Sequence, residues 1–327
     1  MIRYILKRTL TIIPVVLMVA ITIFTIMYFA PGDRVSLILG PGATPEQVDL
    51  LRDRLGLNDP YFVQLGKFMY KTFILFDFGT SYASGIPIAN ELVLRFPNTL
   101  ILACAAIITE IIIGIPLGMA AARHRGKIVD QICMFIAVIG ISAPSFWIGL
   151  QLMLLFSLKL GWFPPYGVTS WKGWVLPIIA NSLHGIAQTA RQSRSSMLEV
   201  IRSDYITTAR AQGLSERTLL NRYALPNAMI PVIQTLGNSF GTSLGGTVII
   251  ESVFSVPGIG QYMVEAISVR DYPVIRSTVV VLSIAFCLVM LLVDLAFGFV
   301  DPRIKAQYTG GSARPRGLRR ERKAAHG

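Results

Sequence analysis

Apolar residues gather along this chain in six runs, most of them roughly 17 to 25 residues long, and nearly all the charge lies between them. A hydrocarbon core about 30 Å thick imposes that pattern, because a helix of such length crosses it with every backbone group bonded internally. The runs predict spans at about Thr9 to Ala30, Asn98 to Ala122, Ile128 to Leu158, Trp174 to Ala190, Ala228 to Ile250 and Ser277 to Val300. The first run resembles a signal peptide, but an h-region is only about 7 to 15 residues long. With Pro31 directly after Ala30, it reads as a retained helix. The expectation is an all-α membrane protein with about six transmembrane helices.

This pattern divides the chain into an N-terminal helix (residues 1–30), an extracytoplasmic loop subdomain (31–97), a five-helix core (98–302) and a basic tail (303–327) that reads as disordered. The loop carries a predicted helix from Glu46 to Leu55, which Pro45 starts and Gly56 ends.

Composition agrees: hydrophobic residues make up 53% and charged residues 15%. A net charge of +12 suggests nucleic acid only until its distribution is seen, since eight of the basic residues lie in the tail, beside anionic lipid. With the N-terminus inside, the inner segments hold 20 of the 30 Lys and Arg and the two short outer loops hold four, which places both termini in the cytoplasm. Cys104, Cys133 and Cys287 lie inside apolar runs without a neighbouring His or Cys, and predict packing rather than a metal site or disulfide.

Between the fourth and fifth spans, Ser203 to Pro226 reads as helix, turn, helix. Ser203 or Asp204 caps the first helix, Gly213 supplies the left-handed residue that ends it, Ser215 caps the second, and Pro226 limits that one. An amphipathic helix this short cannot bury its own apolar face. It docks into a groove on a partner, lies on the lipid surface, or reads DNA, the last disfavoured by its tethering on both sides.

The spacing Thr207-Thr208-Ala209-Arg210, then Gly213, then Leu225-Pro226 resembles the EAA loop of binding-protein-dependent ABC importer permeases. Thr207 and Thr208 stand where most of that family has Glu and Ala. The likeness runs from Met1 to about Pro302 and is similar to the B-type subunit of the dipeptide/oligopeptide/nickel branch. It is carried by Ala30-Pro31-Gly32-Asp33, Leu55-Gly56-Leu57-Asn58-Asp59-Pro60, Asp77-Phe78-Gly79-Thr80-Ser81, Arg95-Phe96-Pro97-Asn98-Thr99 and Glu251-Ser252-Val253-Phe254-Ser255-Val256-Pro257-Gly258-Ile259-Gly260.

The resemblance implies a type I importer permease in the inner membrane of a prokaryote. Its implied partners are a homologous second permease, two cassette ATPases that bind ATP and Mg, and an extracytoplasmic binding protein. The chain itself has no GxxxxGK[ST] loop, so the resemblance implies a non-catalytic subunit driven by ATP hydrolysed elsewhere, with peptide, nickel chelate or glutathione as cargo.

Polar residues inside spans are costly and usually face a wet cavity or another helix. Asn181, His184 and Gln188 share one helical face, as do Gln234, Asn238, Gly241 and Gly245, and both a translocation path and helix packing fit them. His184 has no companion ligand and reads as a paired imidazole. Glu110 and Asp294 read as groups paired with a partner subunit or, for Asp294, with a base near the inner surface. Glu251, Phe254, Pro257, Gly258 and Gly260 predict a tight turn that forms an outer gate. A secondary transporter coupled through Glu110, His184 and Asp294 competes with the importer reading, but no inverted repeat of broken helices accompanies it.

Overall fold

The structure, a computed structural model, describes residues 2–30, 34–40 and 42–300; the predicted basic tail lies outside them. Helix α1 (Ile2–Phe29) is followed by three short helices, α2 (Arg34–Leu39), α3 (Pro45–Leu55) and α4 (Tyr61–Phe73). The expected loop helix is α3. Pro45 stands in its first turn, Thr44 closes a capping box with Gln47, and Gly56 takes a left-handed φ of 66°.

Helix α5 (Ile88–Thr109) runs through a π-helical turn, Glu110–Gly114, into α6 (Ile115–Arg123). It starts at Ile88, ahead of the expected Asn98, with Pro97 inside it. The third predicted span is two helices, α7 (Ile128–Ser142) and α8 (Ser145–Leu152, continued by a π-helical stretch to Lys159), bent by 104° at Ala143 and Pro144. Pro144 disfavours helical backbone at Ala143, which takes an extended ψ of 131°.

Helix α9 (Trp171–Ile201) holds the centre, packed against α5, α6, α7, α8 and α12. Among the described residues, three helices are long and apolar enough to cross a membrane, or five if each bent pair counts as one span, and α9 is not among them. The expected fourth span therefore differs from the others in kind. Enclosed by its neighbours, α9 needs little lipid-facing apolar surface and instead buries Ser182, Thr189, Ser193 and Ser196. Small residues permit the approach: a Cβ on Gly118 of α6 would overlap the Ala190 carbonyl and Ser193 of α9. Near the C-terminal end of α9, Arg194 holds Asp130 of α7 through two bonds of 2.5 and 2.7 Å.

Helix α10 (Asp204–Ala211) is followed by α11 (Glu216–Thr218), a π-helical turn (Leu219–Ala224) and α12 (Leu225–Phe254) without interruption. Pro226 therefore does not limit the second helix of the loop. It sits at the start of α12, where its missing N–H falls beside the widened π turn. Helices α13 (Ile259–Ser268) and α14 (Tyr272–Val300) complete the fold, with α14 packed on α1 and α12. Asp294 near the end of α14 pairs with Arg8 of α1 at 2.5 Å, the basic partner expected for it. At the outer end, Asp271 accepts from the Ser81 hydroxyl and the Ala83 amide, tying the loop subdomain to α14.

Candidate functional site

Three places carry the candidate residues. The first is a cavity of about 400 Å3 midway along α9 and α12, beside the π-helical turn that follows α5, where Asn181, His184, Gln188 and Asn238 come together. Ser239, Thr242 and Ser243 complete that face on α12, and Ser142 to Ser145, the break between α7 and α8, form another wall. Asn181 donates to the Ser243 hydroxyl at 2.9 Å, and His184 and Gln188 share a bond of 2.9 Å between their Nε2 atoms. His184 and Asn238 remain exposed in this chain although they lie at mid-helix. Exposed amides and imidazoles at that depth face water or another subunit, since hydrocarbon leaves them unsatisfied. Gln234 is exposed one turn further towards the cytosolic end and does not line the cavity.

The second place is the C-terminal end of α12. Glu251 is fully buried, and its carboxylate accepts from the Gln261 amide at 3.0 Å, in the first turn of α13. Gly258 and Gly260 pass so close that a Cβ on either would overlap that carboxylate. Thr99 of α5 accepts from the Ile259 amide and Asn98 donates to the Pro257 carbonyl, both at 2.9 Å, so the turn is fastened to a second helix. Phe254 is 2% exposed, packed among Leu102, Leu176 and Ile250. The expected turn is present, and Ser255, which sequence reasoning missed, is the residue that takes the left-handed φ of 50°.

The third is the loop between α9 and α12. Gly213 has φ +83° with open space about it, and Ser215 accepts from the Thr218 amide, both as expected. Arg210 bridges to Glu216 across the turn at 2.6 Å, and that guanidinium holds the Glu216 carboxyl below its usual range. The apolar face of α10 is not left for a partner. Ile206, 1% exposed, and Ala209 are buried, Ile206 in a cluster with Met197, Ala224 and Ala228. What faces outward is Tyr205, Thr207, Thr208 and Arg210, with Pro226 also exposed and Leu225 half-buried.

Sequence reasoning missed the α7–α8 break, although a predicted span of 31 residues with Ser142-Ala143-Pro144 near its middle carried the signal.

Residues 114–306 match the family described as the binding-protein-dependent transport system inner membrane component, and residues 1–103 match the corresponding N-terminal family. The chain belongs to this family of importer permeases. The permease is 40% identical over 306 residues to the glutathione transport system permease protein GsiC of Salmonella paratyphi A, covering 93% of this chain and 99% of that one. It is 38% identical over 305 residues to the protein of the same name from Escherichia coli, with the same coverage.

Among solved structures, it resembles an inward-facing MetNI methionine ABC transporter with a TM-score of 0.56 at 20% identity, over 64% of this permease and 96% of that chain. An amino acid ABC transporter gives 0.51 at 14% identity, over 66% and 94%. The fold is that of a type I importer permease. The permease is thus a non-catalytic, multi-pass inner-membrane subunit of an ABC importer, which works with ATPase and other partner subunits.

Proposed function

We propose that this permease moves small peptides, glutathione among them, inward through the cavity of Asn181, His184, Gln188 and Asn238. The observation that carries the reading is that cavity: it joins faces of two helices in mid-membrane and offers amides and hydroxyls suited to peptide groups. The relatives named for glutathione transport support the choice of cargo.

In this reading a homologous second permease closes the other side of the path. Two cassette ATPases bind ATP and Mg, and an extracytoplasmic binding protein delivers cargo and sets most of the selectivity. Both termini face the cytoplasm, following the arginine and lysine count. The loop from Thr207 to Pro226 seats on an ATPase through its outward polar face, and Glu251 with Pro257, Gly258 and Gly260 holds the outer gate. Closure of the ATPase pair then tilts the helices about the cavity.

Uptake into proteoliposomes holding the whole complex tests it. Vanadate-sensitive import of labelled glutathione or dipeptide is expected. Import of a nickel chelate alone would redirect the substrate, and uptake driven by a pH gradient without ATP would overturn the reading.

A further inference from the structure

Glu110 lines the cavity yet is 1% exposed, and its Oε2 has no hydrogen-bond partner among the described residues. It opens the π-helical turn Glu110–Gly114, a widening of the helix often found where a side chain has a task. Helix α9 leaves it room: a Cβ on Gly185 would overlap the carboxylate. The Ser239 hydroxyl stands beside it from α12. A buried carboxylate with an unmet oxygen is costly, and within a membrane protein it holds a proton, a cationic partner or a ligand.

The lining supplies no cationic partner. Its other ionisable side chain is His184, which is engaged with Gln188, while Asn181 is engaged with Ser243. The same cavity is walled by the α7–α8 break and otherwise by uncharged groups, so Glu110 is the one carboxyl group in its lining.

We propose that Glu110 is the cavity's recognition group for a primary ammonium, the free α-amino group of a peptide or of glutathione. This rests on the peptide-import reading of the cavity. An ammonium brings donors and a positive charge to the one oxygen left without either, and a substrate with a blocked amine brings neither. The remaining amides and hydroxyls then hold the peptide groups without choosing among side chains.

The test is equilibrium binding of glutathione and of N-acetylglutathione to the purified permease–ATPase complex, beside ATP-driven uptake of glutathione in the presence of the binding protein. The wild-type complex is expected to favour the free amine by at least about tenfold, the loss typical when one member of a desolvated charge pair is removed. Glu110→Gln should collapse that ratio towards one, and Glu110→Asp, which keeps the charge, should preserve most of it. A carboxylate kept only for packing affects both ligands equally and leaves the ratio in place.

An unchanged ratio in Glu110→Gln overturns the proposal, as does a wild-type ratio near one. If Glu110→Gln does not assemble, Glu110→Ala is read in its place: a ratio near one supports the proposal and a preserved ratio overturns it. A wild-type complex that imports neither glutathione nor dipeptide refutes the cargo assignment itself, a result distinct from normal import with an unaffected ratio.

Discussion

The two ends of α12 are built on opposite plans. At its C-terminal end a buried carboxylate, two close-packed glycines and two bonds to α5 enclose the turn. At its N-terminal end the loop rests on a small buried set, Ile206 and Ala209 of α10 with Leu219 and Ala224, and an exposed ion pair, with its polar face outward. The first arrangement is closed by the chain's own residues. The second is incomplete by itself, which suits a surface that must meet another protein and still release it.

The contrast sets an order of expected effects. Glu251→Ala strips the α13 amides of their acceptor and opens a hole among Gly258, Gly260 and Thr99, so a loss on the order of 3 kcal/mol is expected. Thermal unfolding of the purified complex reads it, and a variant as stable as wild type would remove the locked end from the comparison. Ile206→Ala should cost about 2 kcal/mol locally and loosen α10 from its seat. Here the sharper measurement is the number of ATP hydrolysed per substrate imported, which should rise while the melting temperature moves less than for Glu251→Ala.

Gly213→Val places a β-branched residue at φ +83°, a strain of about 1–2 kcal/mol confined to an exposed turn. Assembly should survive and transport should fall; transport at the wild-type rate would sink the assigned role of the turn. Smallest is Arg210→Ala, expected to leave stability unchanged within error, because the pair is exposed and water screens it. The sign of its pH dependence is fixed. Glu216 has its folded pKa lowered by Arg210, so whatever the pair contributes is present above the ordinary carboxylate pKa and is lost as pH falls through the lowered value. A difference between wild type and Arg210→Ala that grew on acidification would contradict this.

Features set by neighbouring residues were legible in the chain. Pro45 and Gly56 bound α3 as their backbone chemistry requires, and Gly213 and Ser215 shape the cytosolic turn for the same local reasons. The pairing of Asp294 with a base near the inner surface followed from charge and depth. Features set by packing were less accessible. Pro226 looked like a stop because a proline lacks an N–H, yet the π-helical turn ahead of it carries the helix through. Ile206 looked available to a partner because its cover comes from Met197, Ala224 and Ala228, which the short amphipathic stretch does not contain. The room for Glu110 is made by Gly185 on another helix, and no spacing along α5 discloses it.

The unbroken path from Glu216 to Phe254 gives the molecule a stiff rod. At 1.5 Å per residue that rod is about 58 Å long, nearly twice the thickness of the hydrocarbon core. A tilt of about 10° pivoting at the depth of Asn238 would swing its two ends by roughly 5 Å in opposite directions. Motion at one face thereby becomes motion at the opposite face by geometry alone, with no relay of side chains between them.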